Sequence, residues 1–130
     1  MLIKGTSVVA VAAAIAENVL ITLDYTNSTD KIIGAIVNTA TTFPFGVTIA
    51  AAAIGEIVQY KPLEVGGQYE IVNTGGVTAG DLLATAADGA VVTRAGSSEY
   101  TISNLQAIED GATTKAVRCI LLAPGVILGA

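Results

Sequence analysis

The feature that most constrains this chain is a succession of short runs of branched residues separated by glycine-marked turns. Between residues 66 and 122 these runs lie at 68–72, 82–86, 90–93 and 115–122. In the first run Tyr69 and Ile71 alternate with Gln68 and Glu70, which is the period of a strand with one buried face. Asp88-Gly89 between two of the runs is a strong hairpin signal. Such strands at such spacing predict a small all-β barrel or sandwich.

The same pattern continues upstream, where we predict strands at 18–24, 31–38 and 56–60. Gly34 inside the second of these marks a bulge or a close backbone approach. The segment 47–54 is ambiguous, because its alanine run favours a helical turn while its flanking branched residues favour a strand. The expected domain is an all-β barrel over residues 18–123 with short helical turns.

Three features of the second half carry further predictions. Ser103 as a cap and Gly111 as a stop predict a helical turn over 103–110. Arg118 is the only polar residue after Lys115 in the run 115–122, so both faces of that strand are expected to be covered. The order of residue types over 45–60 also resembles that over 102–121, which suggests a twofold structural repetition within the barrel.

The two ends of the chain are predicted to lie outside the barrel. Residues 1–17 are expected to form an extended N-terminal arm, since Val8, Val9 and Val11 favour strand and the intervening alanines allow close packing. Its partner is expected to be the sheet edge of a neighbouring subunit. The alternative, a secretory signal peptide, is weakened by Gly5-Thr6-Ser7, which interrupts the apolar run. Residues 124–130 form a short apolar tail.

The composition predicts apolar surface that is buried against other chains. Hydrophobic residues make up 52% of the sequence and charged residues only 13%, against about 25% in average soluble proteins. The net charge of −5 and the pI of 4.4 argue against a nucleic-acid partner, which requires a basic surface. No apolar run reaches the length of about 18 residues that a membrane-spanning helix needs.

The most aromatic spot in the chain is Phe43-Pro44-Phe45. Pro44 ends any strand ladder there because it has no N–H to donate. Together with Val8, Val9 and Val11, the aromatic residues Phe43 and Phe45 are our candidates for an interface. The alternative for the two phenylalanines is a hydrophobic plug at one end of the barrel.

No catalytic, metal or cofactor site is predicted. The sequence contains no histidine, and its carboxylates are scattered rather than paired. Gly75-Gly76 lacks the lysine and the helix pattern of a phosphate-binding loop. Cys119, the single cysteine, lies in the middle of a predicted strand and is expected to be a small buried apolar residue. We therefore expect a protein that is not an enzyme.

The sequence also resembles a known family. The run VTAGDLLATAADGAVVTRA, followed by a polar loop and YTISNLQAIEDGATTKAVRCIL, is similar to the capsid cement, or head decoration, proteins of tailed bacteriophages. The matching positions are Ala79-Gly80-Asp81, Asp88-Gly89, Leu105, Ala107, Glu109-Asp110, Gly111 and Val117. Gly55-Glu56 occupies the expected place in a related first-half unit. The resemblance covers roughly residues 31–122 and rests on turns and core positions.

This resemblance implies a virion structural protein on the outer surface of an icosahedral head, assembled in the host cytoplasm. It implies the major capsid protein as partner, a homotrimeric state and a stabilising effect on the shell. Two other functions remain open from the residues alone. One is a secreted or surface β-module that binds a sugar or a protein, and the other is a subunit of a different β-rich assembly such as a tail tube.

Overall fold

The structure, a computed structural model, describes residues 7–29, 32–94, 100–102, 105–122 and 126–128. The described residues form strands and a single turn of 3₁₀ helix at Ala87–Gly89, which confirms the predicted all-β fold. The strands are β1 Ser7–Ala10, β2 Leu20–Leu23, β3 Ile32–Val37, β4 Gly46–Thr48, β5 Tyr60–Pro62, β6 Gln68–Val72, β7 Leu83–Thr85, β8 Val91–Thr93, β9 Tyr100–Ile102, β10 Leu105–Ala107, β11 Ala116–Leu121 and β12 Val126–Leu128.

The first half of the chain forms a five-stranded sheet in the order β1-β3-β2-β4-β5. The sheet curls until its ends approach each other, because the outer edge of β1 also bonds the segment 55–58 that leads into β5. Ala10 N donates to Glu56 O at 3.1 Å, and Val58 N donates to Val8 O at 2.7 Å. This closure leaves β1 hydrogen-bonded on both sides, to β3 and to the segment 55–58.

The second half closes in the same way. Its three-stranded sheet has the order β10-β11-β6, and the hairpin β7–β8 connects the two outer strands. On one side Leu82 pairs antiparallel with Gln106 of β10, and on the other side Val91 of β8 pairs in parallel with Asn73, the residue after β6. The pair β9–β12 forms a separate two-stranded sheet, and β9 lies beside β7 of this ring.

These two halves, residues 7–62 and 68–121, are structural repeats of each other. In both, an initial strand runs parallel to the second strand of a hairpin: β1 with β3, and Asn73 beyond β6 with β8. In both, the first strand of the hairpin pairs antiparallel with the next strand of the chain. The bridge pairs of the first repeat are Leu20–Val47, Ile15–Ala52 and Val9–Ile57, and those of the second are Leu82–Gln106, Val77–Gly111 and Val72–Ala116.

The turns of the two repeats match residue by residue. Asn18 and Gly80 hold the same place before the hairpin, and both have positive φ, at 58° and 93°. Gly55 and Thr114 likewise hold the same place in the turn before the last strand, with φ of 88° and 68°. The predicted twofold repetition is therefore confirmed at the level of backbone hydrogen bonds.

Each repeat encloses its own apolar cluster, and the two clusters share residues across the boundary. The first cluster is formed by Ala10, Ile15, Val19, Ile21, Ala35, Ala52 and Val58. The second is formed by Tyr69, Ile71, Val77, Leu83, Val91, Leu105, Ala107, Val117, Cys119 and Leu121, together with Leu20 and Val47 from the first repeat. Val72 of the second repeat packs in return against the first cluster. The repeats therefore form one barrel-like body.

Three local predictions were wrong. The helical turn predicted over 103–110 is replaced by strand β10, because pairing with β11 outweighs the weak capping signal. The strand predicted at 56–60 begins only at Tyr60, since Ile57 makes a single bridge to Val9. Strand β11 is fully covered on one face only: Val117, Cys119 and Leu121 are buried, whereas on the other face Arg118 is exposed and Ala116 and Ile120 are half-buried.

The N-terminal segment differs from the predicted arm. Its described part is extended, as expected, but Ser7–Ala10 joins its own sheet instead of reaching a neighbouring subunit. Val9 and Ala10 pair with Gly34 and Ala35 of β3. Gly34 permits this contact, since a Cβ there would lie 2.8 Å from the Cγ2 of Val11. The close approach predicted at Gly34 is therefore confirmed. Residues 1–6 lie outside the described residues, as do 124, 125, 129 and 130 of the predicted tail.

Candidate interaction surface

Of the five predicted interface residues, the three valines belong to the body of the domain. Val9 is only 8% exposed and lies in the core. Val8 is half-buried and packs against the first cluster. Val11 is half-buried beside Gly34. The strand propensity that drew attention to these residues reflects a core strand of this chain.

The two phenylalanines have different environments. Phe45 is half-buried and packs edge-on against Tyr60, with ring centroids 5.1 Å apart and an interplanar angle of 84°. It fits the plug that was the alternative to an interface anchor. Phe43 is 63% exposed, and its carbonyl accepts a hydrogen bond from Thr22 Oγ1 at 2.8 Å. Phe43 is thus a large apolar side chain held outward on a fixed backbone.

A larger apolar surface lies on the segment 49–59, which the sequence left ambiguous. Ile49 N donates to Gln59 O at 3.0 Å and Glu56 N donates to Ala53 O at 3.0 Å, so the segment folds back on itself. Its inner side chains, Ala52 and Val58, are buried in the first cluster. Its exposed apolar residues are Ile49, Ala51, Ala53, Ile54 and Ile57, which we call the outer apolar face.

The outer apolar face is unusual for its large side chains. Ile49, Ile54 and Ile57 are 52%, 63% and 64% exposed, although isoleucine is among the residues most often buried. Beside them runs an open groove lined by Ala14, Ile15, Ala16, Ala51, Ala52, Ala53 and Glu56. The sequence signal that could have found this surface was the alternation around Ala52 and Val58, which the alanine run concealed.

A second concavity, of about 380 Å³, lies where the repeats meet, between β4–β5 and β6–β11. Its two cations already have partners. Lys61 Nζ donates to Gln68 O at 2.7 Å and lies 5.2 Å from the centre of the Tyr69 ring. Arg118 Nε is 3.2 Å from Glu109 Oε1. Both basic side chains that line the cleft are thus engaged within the domain, and Glu70 is its remaining charged residue.

Cys119 lies fully buried in the second cluster, as expected from the sequence. Burial raises the pKa of its thiol from 9.0 to about 12, because the charged thiolate is disfavoured in an apolar environment. The thiolate is the reactive species, and its fraction at pH 8 falls by about a thousandfold for a shift of that size. Cys119 is thus a core residue rather than a nucleophile.

We expect the folded protein to resist alkylation at Cys119. Iodoacetamide at pH 8 should label the native chain orders of magnitude more slowly than the same chain in 6 M guanidinium, measured by intact mass over time. Labelling at equal rates in both conditions would show that the thiol is accessible in the folded state.

Within the described ranges, no group of three or more carboxylate or cysteine side chains is placed to hold a metal ion. Nor do those ranges contain a helix with the length and apolarity needed to cross a membrane. The candidate interaction sites of the described chain are therefore Phe43, the outer apolar face and the cleft between the repeats.

Comparison with known proteins reveals a likeness to a solved structure. No protein-family model and no curated protein matches the sequence. Among solved structures, the chain is similar to the head fiber gp8.5 N base of bacteriophage phi29, with a TM-score of 0.69 and 17% sequence identity. The similarity covers 87% of this chain and 89% of the phage chain. At this identity the likeness is one of fold, and the chain shares the fold of that phage head fiber base over nearly its whole length.

Proposed function

We propose that the chain is a structural protein of a bacteriophage virion that attaches to the outside of the head, with the major capsid protein as its partner. The observation that carries this proposal is the fold similarity, over 87% of the chain, to the head fiber gp8.5 N base of phage phi29. The sequence resemblance to head decoration proteins supports the same conclusion independently, since it rests on turn and core positions within residues 31–122.

The surface of the molecule is consistent with such a role. Phe43 and the isoleucines of the outer apolar face remain exposed in the isolated chain, and such residues mark contacts with other proteins when they cluster. The proposed state on the particle is a homotrimer, in which several weak contacts act together. Binding only to the mature shell would stabilise that shell by mass action. This is the cement function in physical terms.

A second candidate, specifically favoured by the structural comparison, is the base of a head fiber. A fiber base attaches to the shell and carries a further protein element outward, whereas a cement protein ends at its own domain. Both functions require the domain to attach to the head in the same way. They differ in whether a further protein element projects from the attached domain.

The expected result is that purified protein binds heads that lack it. Sedimentation of such heads, produced by a phage in which the corresponding gene is deleted, should recover the added protein in the pellet at a fixed ratio to the capsid protein. Electron microscopy should then show protrusions at fixed lattice points. Protrusions of domain size identify cement, and extended projections on the complete virion identify a fiber.

The stabilising role has its own readout, the temperature at which heads release DNA. Decorated heads should withstand a higher temperature than undecorated ones. If fully decorated heads released DNA at an unchanged temperature, attachment to the head would still hold, but the stabilising cement function would be contradicted. Protein that stays in the supernatant at every concentration would contradict the proposed function, as would protein that forms tubes by itself.

A further inference from the structure

The internal repetition supplies a comparison within one molecule. Both repeats fold the same backbone, so a side chain that the fold requires should have a similar counterpart in the other repeat. A large apolar side chain that is exposed in only one repeat therefore has another origin. The segment 49–59 of the first repeat is equivalent to 108–118 of the second, since Ile49 N bonds Gln59 O and Ile108 N bonds Arg118 O in the same way.

The inner positions of the two segments agree. Ala52 corresponds to Gly111 and Val58 to Val117, and all four are small or apolar residues at the core side of the segment. Among the outer positions, Ile49 and Ala53 correspond to the exposed residues Ile108 and Ala112, and the others differ. Ala51 corresponds to Asp110, Ile54 to Thr113, Ile57 to Ala116 and Gln59 to Arg118. The second repeat therefore builds the same loop with a more polar exterior, in which Asp110 and Thr113 replace Ala51 and Ile54.

The comparison of the two repeats distinguishes residues that the fold requires from residues that it does not require. Because Asp110 and Thr113 are compatible with the shared backbone, the apolar residues Ala51 and Ile54 are not required by it. Ile54 instead places apolar side-chain area in water, which brings no benefit to the isolated chain. The outer apolar face is thus best explained by a partner that covers it.

The charges around the face indicate the chemistry of that partner. Glu56 lines the groove beside Ala14 and Ala53, and Glu17 is exposed next to the groove residue Ala16. In the second repeat the position of Glu56 is held by Lys115. Lys31 is the sole basic residue in the sequence between positions 8 and 59. The face is therefore apolar with an acidic rim, and its complement is apolar with a basic rim.

A second copy of this chain supplies that complement poorly. The chain has six basic residues and a net charge of −5, so two copies repel each other. Arg118 is paired with Glu109, and Lys61 is bound to the carbonyl of Gln68. The charge pattern thus favours a different protein over self-association at this face.

From these observations we propose that the outer apolar face is the surface that docks on the phage shell, on a patch of the capsid protein that is apolar at its centre and basic at its rim. This inference rests on the proposed function and assigns its contact. Docking buries Ile54 and Ile57 and brings Glu56 close to basic side chains of the shell. The valines first predicted as anchors have no part in it.

The test replaces two exposed residues of the first repeat with the residues at the equivalent positions of the second. The double variant Ala51→Asp, Ile54→Thr carries the residues that the equivalent positions already tolerate, so it should fold and melt like the wild type. Its affinity for heads that lack the protein, measured by sedimentation at 0.1 M NaCl, should fall on the order of tenfold or more. Val65→Thr is the matched control, because Val65 is 57% exposed outside the face and its loss should leave binding unchanged.

The rim is tested by Glu56→Gln, whose amide oxygen can keep the hydrogen bond that Glu56 Oε1 accepts from Ala53 N. Association with heads should slow severalfold at low salt and converge with the wild type at 0.5 M NaCl. Equal rates at all salt concentrations would exclude a basic rim on the partner.

The remaining outcomes are distinct. If the wild type fails to bind heads, the proposed function fails and this inference with it. If the wild type binds and the double variant binds equally well, the inference alone is overturned. If the double variant instead changes the oligomeric state, measured by light scattering, the face is a contact between copies of this chain and docking on the shell is excluded.

Discussion

A chain that lacks residues 1–16 should be unable to fold. The deletion removes β1, which is hydrogen-bonded both to β3 and to the segment 55–58, and so opens the ring of the first repeat. It also removes Val9, Ala10 and Ile15, which are 8%, 0% and 2% exposed. Burying one valine or isoleucine side chain contributes about 1.5–3 kcal/mol, and total stability is about 5–15 kcal/mol. The loss is therefore comparable with the whole stability of the domain.

The measurement is circular dichroism with thermal unfolding, supported by the dispersion of amide signals in an NMR spectrum. The truncated chain should show no cooperative transition. A chain that starts at Ser7 is the control, because it keeps every described contact of β1, and it should melt cooperatively. If the chain from residue 17 onward retained a cooperative transition near that of the full chain, β1 would be an appendage to the barrel, as the sequence suggested for the N-terminal arm.

The all-β class and several strands could be predicted because their signals are local. Gln68–Val72 shows alternation that its burial reproduces, with Tyr69 and Ile71 inside. The hairpin around Asp88-Gly89 could be predicted because Asp88 and Gly89 have positive φ, at 59° and 74°, and few residue pairs tolerate that conformation. These elements depend on residues that are neighbours in the chain, so a single sequence contains the information.

The wrong predictions concern elements whose structure is decided far away in sequence. Leu105–Ala107 is a strand because β11 pairs with it. The sequence between residues 103 and 110 contains no signal that predicts this pairing. The N-terminal segment was taken for an arm because its apolar residues matched a docking strand equally well. Only the position of β3 shows that Val9 and Ala10 have a place in their own sheet.

The interaction surface was only partly accessible to sequence reasoning. Phe43 was found because an aromatic residue beside Pro44 is conspicuous, and the structure leaves it exposed. Ile54 and Ile57 were not found, because an isoleucine in a sequence is more often buried than exposed. Their significance emerges from the repetition, since the equivalent positions carry Thr113 and Ala116. A faint repeat in sequence thus became informative once its register was fixed by hydrogen bonds.

The repetition also identifies Asn73 as the polar side chain on which the second repeat depends. The equivalent residue of the first repeat is Ala10, as Ala10 N bonds Glu56 O and Asn73 N bonds Lys115 O. Asn73 is fully buried, and its Nδ2 donates to Ala112 O at 2.9 Å and to Lys115 O at 2.8 Å. Its Oδ1 accepts from Gly76 N at 2.9 Å. One amide therefore joins two turns that the first repeat holds without it.

Asn73→Ala should destabilise the protein by about 3 kcal/mol, because three hydrogen bonds of a buried side chain are lost and the N–H of Gly76 loses its acceptor. For a domain of this size the melting temperature should fall by about 10 °C. The control is Asn27→Ala, which removes a single hydrogen bond from an exposed side chain to Asp24 and should cost about 1 kcal/mol. A melting temperature for Asn73→Ala within the range of the control would show that the turns are held by the backbone alone.

The reason that the second repeat needs this amide lies in the turn that it holds. Thr114 has φ of 68°, where the first repeat has Gly55, and a non-glycine residue in the left-handed region costs about 1–2 kcal/mol. Thr114→Gly in the Asn73→Ala background should therefore recover about 1 kcal/mol, and it should gain less in the wild type, where the amide already fixes the turn. Equal gains in both backgrounds, measured as a double-mutant cycle by thermal unfolding, would show that Asn73 and Thr114 contribute independently.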